Sequence, residues 1–195
     1  MFLRTILFST LILICSGAAF AQRPGPQFWR KMTCEPFEPR TQLEAFEQRH
    51  NTVIIKGFTR ITTIELRGMR IDAVEMRQPG TTFLAKGIVI VVREGGEQPN
   101  ENRAFVDYGE LEPLLNAIDM MSRVDENATK LPSFEARYVT AGDLEISVFR
   151  QTRSGTAVTI TTGICDQATI SGTLDDLAKV KAMIQEAKTR LDDIR

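Results

Sequence analysis

The stretch Ile88–Val92 constrains the fold of this chain more than any other, because all five of its residues are apolar. Glu94, Gly95 and Gly96 follow it, and a short apolar run that ends at such a turn signal is typical of a β-strand. Successive side chains of a strand point to opposite faces of its sheet. A strand that is apolar at every position must be covered on both faces, so we expect Ile88–Val92 at the centre of a sheet.

Apolar and charged residues alternate between Ile64 and Met76. This period of two indicates strands with one buried and one solvated face, as in an antiparallel sheet. The alternation changes phase at Ala73-Val74, which predicts a β-bulge at that point. Further strands are expected at Phe134–Thr140, Leu144–Arg150, Thr156–Thr162 and Ala168–Ser171.

The sequence also predicts three helices. Thr41 and Glu44 have the spacing of a capping box, so a short first helix should begin there. Apolar residues spaced three and four apart indicate a second helix over about Gly109–Met121 and a long third helix from Thr173 onward. In the third helix these residues are Leu177, Val180, Ile184, Ala187, Leu191 and Ile194. The spacing also fits a dimeric coiled coil, but it extends over fewer than three heptads, so we expect this helix to pack on the domain's own sheet.

Together these patterns predict an α+β domain with a mostly antiparallel sheet of about 6–8 strands, a middle helix and a long C-terminal amphipathic helix packed on the sheet. The order of the elements suggests two β-rich halves, each closed by a helix. We expect a single domain over residues 41–195. An irregular segment rich in proline, residues 22–40, should precede it.

The N-terminus has the features of a cleavable secretory signal peptide. Arg4 is followed by a mostly apolar run, Ile6–Ile14, and then by the triplet Ala19-Phe20-Ala21, which fits an A-x-A cleavage site. The apolar run is shorter than the roughly 20 residues that span a bilayer. We therefore expect removal of residues 1–21, export to the periplasm or outside the cell, and no transmembrane segment in the mature chain.

Export also bears on the three cysteines of the chain. Cys15 would leave with the signal peptide, so the mature chain would keep Cys34 and Cys165. An even number of cysteines in an oxidising compartment favours a disulfide. A bridge between Cys34 and Cys165 would tie the proline-rich segment to the sheet. Two separate thiols, or pairing between chains, are the alternatives.

The common catalytic signatures are missing from the sequence. Its one histidine is His50, and the motifs H-E-x-x-H, C-x-x-C, G-x-S-x-G, S-x-x-K and the phosphate-binding glycine loop do not occur. The sequence therefore predicts no metal ion and no cofactor, and it favours a non-catalytic protein. Asn127-Ala128-Thr129 matches a glycosylation sequon, which matters only in a host that glycosylates exported proteins.

Two groups of residues are candidates for binding. Phe28-Trp29 contains the single tryptophan of the chain, which either packs on the domain or anchors a partner. Arg67, Arg70 and Arg77, together with Arg93, lie among acidic residues on the strands that are predicted to be half solvated. Opposite charges stabilise such a sheet face modestly. The alternative is that these arginines form a docking surface for a protein or an anionic ligand.

The charge balance narrows the classes of function. The formal net charge is −1 and acidic and basic residues are interspersed, so a nucleic-acid partner is not expected. The leading hypothesis is a monomeric, non-catalytic module that binds a protein or a small ligand in the periplasm or outside the cell. The alternatives are an exported hydrolase that uses scattered carboxylates or His50, and a carrier of a small apolar ligand. A carrier would need an apolar cavity between helix and sheet.

Intact-mass spectrometry of the exported protein tests the signal peptide and the disulfide together. We expect a mature form that begins at Gln22, because the A-x-A triplet directly precedes it. Its two thiols should react with an alkylating agent in the unfolded protein only after reduction. A mature form that retains residues 1–21, or two thiols that react before reduction, would contradict the respective hypothesis.

Overall fold

Eight strands and three α-helices make up the part of the chain that the computed structural model describes, which is residues 38–97, 99–125, 127–151 and 155–194. The predicted signal peptide and most of the proline-rich segment lie outside these residues, so both stay predictions. In chain order the elements are α1 (Gln42–Glu47), β1 (Ile55–Arg60), β2 (Met69–Arg77), β3 (Leu84–Arg93), β4 (Glu101–Asp107), α2 (Leu111–Ser122), β5 (Phe134–Val139), β6 (Leu144–Gln151), β7 (Gly155–Thr162), β8 (Ala168–Gly172) and α3 (Leu174–Asp192).

The strands form two four-stranded antiparallel sheets. The first sheet has the order β1-β2-β3-β4 and the second has the order β5-β6-β7-β8, so neighbouring strands follow each other in the sequence. A short 3₁₀ helix (Tyr108–Glu110) and α2 follow the first sheet, and α3 follows the second. The α+β class and the division into two β-rich halves that each end in a helix are thereby confirmed.

Strand β3 has the position that its apolar run predicts. It lies inside the first sheet, paired with β2 on one side and β4 on the other. Ile88, Ile90 and Val92 belong to the main core, whereas Val89 and Val91 belong to a second apolar cluster. Because the two sets alternate along the strand, the clusters lie on opposite faces of the sheet. The first sheet is therefore covered on both faces.

Helix α1 covers the second cluster. Leu43 and Phe46 are buried and belong to that cluster. The predicted capping box is present, because the Thr41 hydroxyl accepts from the Glu44 amide at 3.0 Å and the Glu44 carboxylate accepts from the Thr41 amide at 3.1 Å. The sequence therefore predicted where this helix begins.

Asp107 joins α1 to the end of the first sheet. Its carboxylate accepts from the backbone amides of Gln42 and Leu43 at 2.7 and 3.2 Å, and it caps neither the 3₁₀ helix nor α2. Helix α2 begins at Leu111, two residues later than expected. Pro113 consequently lies in its first turn, where a missing backbone donor leaves no hydrogen bond unmade.

The main core lies between the two sheets and helices α2 and α3. Each helix contacts the sheet of the other half of the chain: α3 packs on β2 and β3, and α2 packs on α3 and β5. The apolar positions predicted for α3 are buried, except Ile194, which lies beyond the end of the helix. Packing of α3 on the domain's own sheet is therefore confirmed.

Strand β2 differs from its prediction in two respects. Its pairing with β3 is continuous, so there is no bulge at Ala73-Val74. Both of its faces are also covered, with Ile71 in the main core and Met76 in the second cluster. The prediction of a bulge and of one solvated face was wrong, because a strand buried on both faces needs no strict alternation of apolar and polar residues.

The C-terminal end of α3 is held to the end of the first sheet. The Asp192 carboxylate accepts from the Tyr108 hydroxyl and from the Lys188 ammonium group. These two hydrogen bonds lower the pKa of Asp192. They also offset the unfavourable position of a carboxylate at a helix C-terminus.

Replacing Ile184 with alanine tests the packing of α3. Ile184 is fully buried in the main core, so Ile184→Ala should lower the free energy of unfolding by about 2–5 kcal/mol. Chemical denaturation measures this change. Gln185→Ala is the matched control, because Gln185 is the exposed neighbour on the same helix. Equal effects of the two changes would show that α3 does not contribute this buried face.

Candidate functional site

A close backbone contact between Gly68 and Arg93 organises one end of the first sheet. The Arg93 amide donates to the Gly68 carbonyl oxygen at 2.7 Å. Gly68 has a φ of +79°, and a Cβ atom there would lie 2.6 Å from the Arg93 carbonyl oxygen. Only glycine allows this approach without strain. The contact brings Arg67, the residue before Gly68, next to Arg93 at the end of β3.

Side chains from this end of the first sheet fix it to the second sheet. The Glu94 carboxylate accepts from the Thr169 amide at 2.8 Å. The side-chain amide of Asn100 donates to the carbonyl oxygen of Asp166 at 2.7 Å, and that of Asn102 donates to the carbonyl oxygen of Cys165 at 2.8 Å. The β3–β4 hairpin is therefore anchored to the turn between β7 and β8 through backbone groups of that turn.

A cavity of about 440 Å³ lies at this junction. Its lining residues come from the β1–β2 connection, the end of β3 and strand β8, and they are Arg67, Gly68, Arg93, Glu94, Gly95, Thr169, Ile170 and Ser171. Both arginine side chains are exposed. Within the described ranges, no residue forms an ion pair or a side-chain hydrogen bond with either guanidinium group.

A second cavity, of about 590 Å³, lies beside the first, and Arg67 lines both. Its apolar lining residues form the floor, and they are Ile61, Ile64 and Leu66 from the β1–β2 connection, Met69 from β2 and Met183 from α3. Its polar lining residues are Arg60, Thr62, Glu65, Arg67 and Arg70. The Thr63 hydroxyl donates to the Glu186 carboxylate, which ties the β1–β2 connection to α3. We call the two adjoining cavities the arginine groove.

Asp72 holds two of the arginines at the edge of the groove. Its carboxylate accepts from Arg60 Nε at 3.2 Å and from Arg70 Nε at 3.1 Å, and the residue is 8% exposed. One carboxylate thus partners two guanidinium groups. The groove and its edge carry four arginines against the three carboxylates of Glu65, Asp72 and Glu94. The local balance is one positive charge in a chain whose net charge is −1.

The structure brings together only some of the residues that the sequence marked as binding candidates. Arg67 and Arg70 line the groove, and Arg93 joins them. Arg77 lies at the other end of β2 and pairs with Glu75. The register of β2 is regular, so Arg70 and Arg77 are on opposite faces of the sheet and do not form one charged surface. Arg60 was missed, because the sequence did not show that β1 ends opposite Asp72.

Three of the sequence-predicted residues cannot be placed in this way. Phe28, Trp29 and Cys34 lie outside the described residues, so their binding role and the Cys34–Cys165 disulfide stay predictions. Cys165 is partly buried in the turn between β7 and β8, where the Asn102 side chain binds its carbonyl oxygen.

A third cavity, of about 440 Å³, lies over the second sheet and bears on the hydrolase hypothesis. It is lined by Ser133, Phe134, Glu135, Glu145, Ser147, Phe149, Arg150 and Thr159. Ser147 donates to the Glu135 carboxylate at 3.2 Å, and Arg137 donates to Glu145 at 2.6 Å. The hydrogen bond to Glu145 raises the pKa of Arg137. Both carboxylates that line this cavity therefore accept hydrogen bonds from neighbouring side chains.

His50, which the hydrolase alternative would use, lies away from the three cavities described above. It is exposed and follows the end of α1. Residues 38–97, 99–125, 127–151 and 155–194 contain no group of three or more His, Cys, Asp or Glu side chains placed to hold a metal ion.

Comparison with protein-family models found no match, and a search of curated proteins found no similar sequence. In the described ranges, no helix has the length and apolar character needed to cross a membrane. The arginine groove is therefore assigned as the candidate site on its geometry alone.

Replacing Gly68 with alanine tests the backbone contact that forms the groove. Gly80→Ala is a matched control, because Gly80 has nearly the same φ, +75°, but no atom within 4 Å of a Cβ. The left-handed conformation should cost each variant about 1–2 kcal/mol of unfolding free energy. The clash with Arg93 should cost Gly68→Ala about 1–3 kcal/mol more. Equal losses in chemical denaturation would show that the contact is not tight.

Proposed function

We propose that this chain is an exported, non-catalytic binding module that works in the periplasm or outside the cell, and that its arginine groove binds an anionic ligand. The observation that carries the proposal is the pair Arg67 and Arg93. The two residues belong to adjacent backbone segments and line the same cavity, and their guanidinium groups have no partner among the described residues.

Electrostatics favour an anion at this position. Two like charges on adjacent segments repel each other, and a bound anion would remove that repulsion. Guanidinium groups bind carboxylate and phosphate oxygens through paired hydrogen bonds, which are among the stronger polar contacts in proteins. The side chains extend from backbone that is fixed by the Gly68–Arg93 contact, so binding would have to order the two side chains but not the backbone that carries them.

Two features predicted from the sequence, the signal peptide and the disulfide, support the part of the proposal that concerns export. An A-x-A site after a short apolar run is the usual mark of export. A disulfide at Cys165 would attach the N-terminal segment to the turn that Asn100 and Asn102 hold against the β3–β4 hairpin.

Titration with inorganic phosphate, followed by NMR, tests anion binding directly. We expect saturable shifts of the backbone amide signals of Gly68, Gly95 and Thr169, because these residues line the cavity with the two arginines. Loss of a charge-assisted hydrogen bond in Arg67→Gln or Arg93→Gln should weaken binding at least about tenfold.

Arg123→Gln is the control for the titration, because it removes an exposed positive charge that lies outside the three cavities. It should leave the affinity for phosphate within about twofold, the small change expected for a distant, screened charge. Shifts that occur away from the groove, or equal weakening by all three variants, would contradict the proposal.

A further inference from the structure

We propose that the anionic ligand of the arginine groove is an aliphatic monocarboxylate, a single apolar chain that ends in one carboxylate group. This inference rests on the proposed function and adds the chemical class of the ligand. It follows from the juxtaposition of two cavities of different character that share Arg67: one with unpartnered arginines, the other with an apolar floor.

The carboxylate binds between Arg67 and Arg93. Both guanidinium groups are available there, whereas Arg60 and Arg70 already bind Asp72. Glu94 lines the same cavity and Glu65 lines the neighbouring one. A second negative charge on the ligand would exceed the single net positive charge of the groove and would lie close to these carboxylates, so the charge balance favours a singly charged ligand over a doubly charged one.

The apolar chain lies in the neighbouring cavity. Its floor consists of the side chains Ile61, Ile64, Leu66, Met69 and Met183. Met183 of α3 lines this cavity together with the β1–β2 connection and the adjoining ends of β1 and β2, so apolar side chains from a helix and from the sheet region meet there, as a ligand carrier needs. Its volume of about 590 Å³ is within the range of about 300–1,000 Å³ that is usual for small-ligand sites. The two methionines can adjust their shape to chains of different length.

Chain length is the variable that separates this ligand class from a simple anion. Each methylene group that leaves water for the apolar floor should raise the affinity by up to about fourfold. The affinity should therefore rise from acetate through butanoate and hexanoate to octanoate. It should stop rising once the chain is longer than the cavity.

The experiment is calorimetric titration of the full mature chain with this series, below the concentrations at which the longer members form micelles. Octanol and octylamine carry the same chain without the negative charge, and both should bind at least about tenfold more weakly than octanoate. An apolar tripeptide with a blocked N-terminus and a free C-terminal carboxylate tests whether a peptide end is the better ligand.

Two variants should separate the two cavities. Arg67→Gln should reduce octanoate binding to the level of octanol, while the dependence on chain length remains. Ile64→Ser should remove that dependence, while acetate and phosphate bind as before. Ile64 is only partly buried, so this change is compatible with folding. Leu131→Ser is its control, because Leu131 is 71% exposed and lies outside the groove.

Each contrary outcome has a definite meaning. If phosphate binds at the groove but affinity does not depend on chain length, the aliphatic ligand is wrong and the proposed function stands. If the tripeptide binds more tightly than octanoate, a peptide terminus replaces the aliphatic ligand. If neither phosphate nor any carboxylate binds, both proposals fail.

Discussion

The packing of α3 on the first sheet is the contact on which the rest of the structure depends. This helix belongs to the second half of the chain, yet it buries its apolar face against β2 and β3 of the first half. Helix α2 in turn contacts α3 and β5. Because each half covers apolar surface of the other, neither sheet could exclude water from its inner face alone. The same packing places Met183 of α3 beneath the β1–β2 connection, so the floor of the groove and the core form together.

The groove is positioned by backbone contacts more than by packed side chains. Gly68 lies against Arg93, and the side chains of Glu94, Asn100 and Asn102 bind backbone groups of the second half. These contacts fix where the segments lie without using the guanidinium groups of Arg67 and Arg93. Arg67 and Arg93 therefore remain available for a ligand, in a site whose walls come from both halves of the chain.

Much of the fold could be predicted from the sequence, whereas little of the site could. Ile88–Val92 and the capping box at Thr41 depend on local patterns, and local patterns can be read along the chain. The site depends on which distant segments meet. Arg67 reaches Arg93 only because Gly68 permits a close backbone approach, and the pairing of Arg60 with Asp72 requires the register of β1 on β2. In a regular strand Arg70 and Arg77 lie on opposite faces of the sheet. The phase change in the sequence pattern of β2 indicated a bulge instead, so the sequence did not show that the two arginines are separated.

For the proposed ligand, the arginines and the apolar floor of the groove would contribute differently to the binding free energy. Arg67 and Arg93 are exposed, and at physiological ionic strength the field of an exposed charge is screened over about 8 Å. The contribution of such exposed charges is therefore modest, and the tenfold effect expected for the loss of one arginine corresponds to about 1.4 kcal/mol. Burial of apolar surface is not screened by salt in this way and grows with the area removed from water. The apolar floor would then supply most of the affinity, and the arginines would set the orientation and charge of the ligand. A groove of this kind discriminates by the combination of one charge and one chain, because a ligand that offers both should bind more tightly than a ligand that offers either alone.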